Sequence, residues 1–424
     1  MKIYTDKEEL LKKLDERGNV DDSKALAIVK DIIRNIKERG DEALIEYTNK
    51  FDSAVVNLSN FKVSDEEIKN AFNSISDELK ETFKIAKERI YNFHLYQKED
   101  GFTYENDGEM LGQKVTPLEN VGVYVPGGKA AYPSTVFMDV IPAQVAGVKN
   151  IIMTTPCNKE GKVSNEVLAA AYILGIKDIF KCGGAQAIAA MAIGTKSIKK
   201  VDKIVGPGNI FVALAKKELF GKVSIDSVAG PSEILVIADE NANEKFVAAD
   251  LLSQAEHDEL ASSLLLTNSK EFAEKVQKQI DMFIEQLDRK EIINKSLENY
   301  GGIIVTDSID EAISIANDIA PEHLELAVKD PLDYVDKVKN AGAIFMGNYS
   351  AESLGDYMAG PNHVLPTIHT ARFFSPLSVY DFVKRSSLIY FDKKAFDRIA
   401  KNVSVFAKSE GLTAHALAAD VRME

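Results

Sequence analysis

Six histidines are scattered through 424 residues, and four of them stand near carboxylates. In SQAEHDEL, Ser253 to Leu260, Gln254 and His257 are three apart and Asp250 lies one turn before Gln254, so on a helix all three project from one side. A polar stripe on an apolar helix is either its solvated face or the wall of a site. APEHLEL sets Glu322 and His323 just after a proline, which suits the first turn of a helix or a tight loop. LGDYMAGPNHVLPT combines Asp356 and His363 in a glycine-rich loop, and EGLTAHALAADV brings Glu410 and His415 close to the C-terminus. One histidine on a helix is more often a structural residue than a ligand. Four of them beside carboxylates in loop-like or helix-terminal settings are better explained by a zinc site and an acid/base pair than by chance. Neutral imidazole and carboxylate are zinc donors, and a carboxylate next to an imidazole can pass protons. His94, among Tyr91, Phe93 and Tyr96, reads instead as a partly packed surface histidine.

Cys157 and Cys182 are too few and too scattered for a disulfide framework or a thiolate metal site. Any metal must be held by His and oxygen ligands. Neither cysteine has a histidine beside it in sequence, so both read as small buried or loop residues rather than nucleophiles.

The elements that must position these groups follow from hydrophobic period. Residues 24 to 100 read as helices: VKDIIRNIKER is closed by Gly40, and Ser64 with Glu67 forms a capping box that opens a long amphipathic run to about Tyr96. From Asn120 the pattern becomes short apolar runs alternating with helices. The runs are VGVYV, IIMTT, DIFKC, DKIVG and EILVIA, and then SSLLLTN, GGIIVTD and GAIFMGN. Repeated βα units imply parallel sheets covered by helices on both faces. The expected fold is therefore α/β, with two parallel-sheet domains and small appendages, and no Gly/Ser- or Pro-rich linker marks the boundary between them.

Open α/β sheets bind ligands beyond the carboxyl ends of their strands, and the loops there are rich in glycine: YVPGGKAAYPS, CGGAQAIAA, GPGNIFVA and AGPSE. Backbone amides at such turns can cradle a phosphate, or the turns can simply let helices pack closely on strands. None has the spacing GxGxxG, and the sequence leaves both readings open.

Acidic residues outnumber basic ones 65 to 51, for a net charge of -14, which repels nucleic-acid phosphates and anionic lipid. The N-terminus is charged throughout, and no later run reaches the roughly 18 apolar residues of a membrane span. A cytoplasmic protein without nucleic-acid or membrane partners is expected.

Taken in order and spacing, YVPGG, GGAQA, VDKIVGPGN, GPSE, SQAEHD, PEHLE, GDYMAGPNHVLPT and EGLTAH resemble the histidinol dehydrogenase family, from about residue 25 to the C-terminus. The resemblance implies an enzyme that uses zinc and two NAD in succession to oxidise L-histidinol, through L-histidinaldehyde, to L-histidine. It implies two incomplete Rossmann-like parallel-sheet domains with small helical N- and C-terminal appendages: 1–22 as an N-terminal helical appendage, 23–119 plus 234–375 as a first, discontinuous domain, 120–233 as a second domain with the glycine-rich NAD loops, and 376–424 as a C-terminal segment. It implies a homodimer in which that C-terminal segment crosses to the partner's active site. Position by position, it makes Gln254, His257, Asp356 and His415 the zinc ligands, and Glu322 and His323 the acid/base pair. Ser232, His363 and Glu410 join the zinc ligands and His323 as substrate contacts, and Tyr124, Gln186 and Asn209 contact NAD. Asp250 is not a ligand in the family; it either orients His257 or is exposed. The sequence departs from the family's pattern in PTIHTARF, where glycine is expected at His369; that residue reads as a loop position away from the ligands.

Three rivals remain: a related zinc- and NAD-dependent dehydrogenase acting on another small polar alcohol such as a sulfonated diol, a zinc hydrolase in which Glu322 activates metal-bound water, and a noncatalytic dinucleotide-binding protein. Glu410 and His415 favour an amino-imidazole substrate, and the glycine-rich loops argue against a hydrolase.

Overall fold

The computed structural model describes residues 1–4, 7–17, 22–52, 55–127, 132–228 and 230–424. The chain divides into a larger unit, residues 1–97 with 119–382, and a smaller one, residues 98–118 with 383–424. Among the described residues no helix is long and apolar enough to cross a membrane.

The larger unit holds two parallel sheets. One has six strands, ordered Lys2–Tyr4, Gly301–Val305, Ser262–Thr267, Glu233–Ala238, His323–Ala327, Ala343–Met346. Its inner strands Gly301–Val305, Ser262–Thr267 and Glu233–Ala238 are buried and mostly apolar because both faces are covered. Ile234 and Val236 pack towards the helices Glu244–Ala255, Lys270–Ile284 and Lys290–Tyr300, while Leu235 and Ile237 pack towards Ile309–Ile319 and towards Leu10 and Leu14 of Lys7–Arg17. The N-terminal helix is thus present, and the residues before it add an edge strand, with Ile3 opposite Ile303.

The second sheet has five strands, ordered Asp178–Lys181, Asn150–Thr155, Asn120–Tyr124, Lys203–Val205, Ser224–Ile225. All eight expected apolar runs are strands of these two sheets. The chain reverses its direction of travel across this sheet between Asn120–Tyr124 and Lys203–Val205, the arrangement that opens a crevice beyond the strands' carboxyl ends. Gly206, at one of those ends, has φ +113° and a carbonyl that accepts from Lys216 Nζ at 2.7 Å. A Cβ there would fall 2.0 Å from the Tyr124 carbonyl oxygen, so only glycine fits.

Among the described residues, the stretch expected to be helical holds the helices Ser23–Arg39, Asp41–Phe51, Asp65–Ser74 and Asp77–Leu95, so the single run opened at Ser64 is two helices. The capping box forms, with Ser64 Oγ accepting from Glu67 N and the Glu67 carboxylate accepting from Ser64 N. Helix Asp65–Ser74 then stops at Ile75, whose backbone is extended, and Ser76 Oγ accepts from Leu79 N to start Asp77–Leu95. A serine able to cap outweighs the continuity of the apolar stripe. These helices pack on those of the five-stranded sheet: Ser23–Arg39 on Gly184–Ile193 and Ile210–Leu219, and Asp65–Ser74 on Asn165–Leu174.

The smaller unit pairs Phe102–Asn106, Glu109–Pro117 and Val383–Phe391 as an antiparallel sheet, followed by the helices Lys393–Ser409 and Thr413–Asp420. The two tail helices and their junction at Gly411, φ +76°, match the amphipathic runs in the sequence. The antiparallel strands were not anticipated, because their residues are half-buried or exposed and lack a strong apolar alternation.

Candidate active site

Strands Glu233–Ala238 and His323–Ala327 lie side by side with His323 opposite Ile234, so Glu233 and Glu322 meet at their amino ends. His323 therefore opens a strand and is not in a helical turn or loop. Ala320, at φ +51°, ends the preceding helix and Pro321 prevents its continuation. HLELA then alternates: Leu324 and Leu326 face the layer containing Ile313 and Ile315, while His323, Glu325 and Ala327 point the other way. That two-residue period was the signal in the sequence, masked by the proline in front of it.

The two glutamates lock the strands reciprocally. Glu322 Oε2 accepts from Glu233 N at 2.9 Å, and Glu233 Oε2 accepts from Glu322 N at 3.3 Å. Arg17, buried, pairs with the Glu233 carboxylate. His323 Nδ1 lies 2.9 Å from the Glu233 carbonyl oxygen, which can only accept, so Nδ1 carries the proton and Nε2 keeps its lone pair. The carboxylates of Glu322 and Glu352 are each 3.8 Å from Nδ1, beyond hydrogen-bonding distance.

Helix Glu244–Ala255 brings in Gln254, fully buried near its C-terminal end; His257 follows in the turn, with its N–H donating to the Gln254 carbonyl at 3.2 Å. Asp356 sits in the short helix Glu352–Tyr357, and His363 in the loop beyond directs Nδ1 to the Asp356 carbonyl at 3.2 Å. Burial, aided by the nearby His257 and His363, pushes His323 down to about 3. Burial likewise brings His363 to about 4 and lowers His257, whose ring nonetheless keeps an exposed edge. The acids move the other way: burial raises Asp356 to about 6, and burial with the Asp356 charge raises Glu322 well above its ordinary value against the pull of Arg17.

These interactions place Glu322, His323, His257, Asp356 and His363 in one electrostatic neighbourhood within the larger unit. Ser232 adjoins Glu233, half-buried, its carbonyl accepting from Ser262 N at 3.0 Å. Asp250 neither orients His257 nor stands exposed. It is half-buried, raised to about 6 by burial, and hydrogen-bonded to the carboxyl of Glu325. Arg17, Glu233, Glu325 and Glu352 were missed by sequence reasoning, although an acid at position 325 inside a buried apolar strand is a readable anomaly.

Glu410 caps the end of helix Lys393–Ser409 and His415 lies on Thr413–Asp420; both are exposed, in the smaller unit. They line an open cleft of about 760 Å³ with Val403, Phe406 and Leu412. Among the described residues, no three His, Cys, Asp or Glu side chains form a group that could hold a metal. The larger unit nonetheless offers imidazole, carboxylate and carboxamide groups, all zinc donors, among acids whose hold on a proton burial strengthens. A divalent cation fits such a neighbourhood, because its charge favours the ionised acids and neutral histidines.

At the glycine-rich turns the amides are already occupied. Gly183 N donates to Asp52 Oδ2 at 2.7 Å, Gly184 N to the Tyr124 hydroxyl at 3.1 Å, Gly206 N to Asp226 Oδ2 at 2.8 Å and Gly230 N to Thr367 Oγ1 at 2.7 Å. Gln186 is buried beside Asp52, and exposed Asn209 caps helix Ile210–Leu219. Residues 128–131 of YVPGGKAAYPS and 229 of AGPSE lie outside the described residues.

His94 is fully buried, not at the surface, with Nδ1 2.8 Å from the Ile90 carbonyl. His369 adopts φ +59°, a left-handed conformation that explains why glycine is expected there. Both cysteines are buried, and burial raises the Cys182 thiol well above its usual range, as befits inert residues.

A model of the family described as histidinol dehydrogenase matches residues 15–423. A histidinol dehydrogenase of Aquifex aeolicus (strain VF5) is 54% identical over 414 residues, covering 98% of this chain and 96% of its own. One of Clostridium acetobutylicum is 54% identical over 421 residues, covering 99% and 97%. The crystal structure of histidinol dehydrogenase from Elizabethkingia anophelis superposes with a TM-score of 0.90 at 43% identity, covering 94% of this chain and 92% of that one.

The depressed His323 predicts acid sensitivity with a definite sign. Below about pH 6.5 the unfolded chain binds a proton at this residue that the folded chain refuses until about pH 3, so its contribution to stability falls as pH falls through that window. Between pH 6.5 and 5 the loss is about 2 kcal/mol. Urea unfolding of metal-free protein at both pH values should show His323→Gln losing about that much less than wild type; equal losses would contradict the assignment.

Proposed function

This chain belongs to the histidinol dehydrogenase family of oxidoreductases, and from that membership we propose that its larger unit carries the catalytic groups for converting L-histidinol, through L-histidinaldehyde, to L-histidine. The observation that supports this most is His323, held with Nδ1–H on the Glu233 carbonyl and with Glu322 Oε2 3.8 Å from that same nitrogen, which leaves the lone pair on Nε2. In the first oxidation Nε2 takes the hydroxyl proton as hydride leaves the same carbon. In the second, Glu322 takes a proton from the water that adds to the aldehyde, and a second hydride leaves the hydrate. Bringing the Glu322 carboxyl to its ionised form needs positive charge nearby, because burial and Asp356 oppose it.

NAD supplies the hydride acceptor for each step, and zinc supplies a template that holds the substrate's imidazole and amino groups. Gln254, His257, Asp356 and His415 are the proposed zinc ligands, with Ser232, His363 and Glu410 completing the substrate contacts and Tyr124, Gln186 and Asn209 contacting NAD. Of the expected division, 120–233 is likewise proposed as one domain; the helices within 23–95 pack on its helices and residues 102–117 pair with 383–391, so neither stretch is grouped with 234–375. The connection from Ser224–Ile225 to Glu233–Ala238 is only residues 226–232, so the carboxyl end of the five-stranded sheet leads directly to the amino edge where Glu322 and His323 lie. A cytoplasmic setting without nucleic-acid or membrane partners fits the charge of -14. The full-length likeness to histidinol dehydrogenases disfavours another alcohol or a hydrolase.

The homodimer is proposed from the tail. Exposed Phe406 and Leu417 leave its helices with apolar surface uncovered, and His415 completes the ligand set if it is supplied by the partner. Mixing His257→Ala and His415→Ala chains, each inactive alone, should restore towards half of wild-type activity in isolated mixed dimers. A tail that serves its own chain would give none.

Glu322→Gln keeps shape but removes the proton acceptor, so oxidation of supplied histidinaldehyde should fall about 100-fold or more, and beyond any loss with histidinol. Equal losses in both half-reactions would rule out a specific role in activating water.

A further inference from the structure

Glu352 opens a six-residue helix, yet its side chain is buried and reaches across to the helix Glu244–Ala255. Its Oε2 accepts from Ser253 Oγ at 3.1 Å, and its own backbone N–H donates to Glu325 Oε1 at 3.0 Å. The residue therefore ties together the helix carrying Gln254, the strand that begins with His323, and the short helix carrying Asp356.

The carboxamide of Gln254 lies between Glu352 and the backbone N–H of Glu233. That N–H can only donate, so the carboxamide atom facing it is the oxygen, at 3.2 Å. The nitrogen then faces Glu352 and donates to both carboxyl oxygens, the Oε2 contact being 3.1 Å. In the opposite orientation oxygen would face oxygen and N–H would face N–H. A carbonyl oxygen has two lone pairs, so the contact with Glu233 leaves one available.

We propose that Glu352 is a positioning residue that fixes the Gln254 carboxamide with its nitrogen held and its oxygen on the Glu233 side, where the second lone pair is the one offered to a divalent cation. This rests on the reading of Gln254 as a zinc ligand. An amide nitrogen has no usable lone pair for a metal, so a carboxamide free to flip would present a donor only part of the time. Groups that orient a ligand without touching the metal commonly contribute 10- to 100-fold to affinity.

The test is zinc affinity, measured by competition with a chromophoric chelator, in wild type, Gln254→Ala, Glu352→Gln and the double variant. Replacing the carboxyl of Glu352 with an amide lets either end of Gln254 find a partner, so Glu352→Gln should weaken zinc binding about 10- to 100-fold. In the Gln254→Ala background the same change should cost nothing further, because there is no carboxamide left to orient. A merely structural role would show the same loss in both backgrounds, and that result, or wild-type affinity in Glu352→Gln, overturns the proposal. Wild-type affinity in Gln254→Ala would instead show that the ligand reading is wrong. If Glu352→Gln does not fold, Glu352→Asp takes its place in the same cycle, with the same requirement that its loss vanish when Gln254 is absent.

Discussion

Acids packed where the six-stranded sheet begins set the terms for everything around them. Glu233 and Glu322 each satisfy the other's backbone amide, which joins two neighbouring strands at their first residues and leaves little freedom in either side chain. Their carboxyls sit out of water, with Arg17 countering the pair, while Asp356, Glu352, Asp250 and Glu325 add more acid close by. Burying charge is costly, so burial raises Glu322, Glu325 and Glu352 well above the ordinary carboxylate range and Asp250 and Asp356 to about 6. The same surroundings strip protons from His323 and His363. Both effects point in one direction: these surroundings disfavour charge of either sign on the groups themselves, the condition under which the proposed cation would be stabilising.

This arrangement also explains where the site lies. The general expectation for open α/β sheets, ligands beyond the carboxyl ends, suits the five-stranded sheet, where the strand order reverses beside Tyr124 and Gly206. In the six-stranded sheet the chemistry is at the opposite, amino edge. Only residues 226–232 separate the last strand of the one sheet from Glu233–Ala238 of the other, which is the connection the proposed two-ligand site relies on.

Much of this was legible in the sequence, and the exceptions have physical causes. Eight buried strands announced themselves as apolar runs because both faces of their sheets are covered. The helical pair in the tail was equally plain from its amphipathic period. His323–Ala327 was hidden because Pro321 suggested a helix start, when it marks the end of one. His94 was misjudged because Tyr91, Phe93 and Tyr96 around it are exposed while its own ring turns inward to Ile90. The site's motifs carried its main residues, but the supporting acids at 233, 325 and 352 belong to three segments that only the fold brings together. Nothing local in a sequence reports that an aspartate such as Asp250 will meet a glutamate 75 positions away.

The measurement that bears most directly on this account is NADH formation from L-histidinol by the full chain, followed before chelation, after it, and after zinc is returned. A pocket built to be completed by a divalent cation predicts two NADH per histidinol, loss of turnover on chelation and recovery with zinc. Undiminished turnover in verified metal-free protein would contradict it.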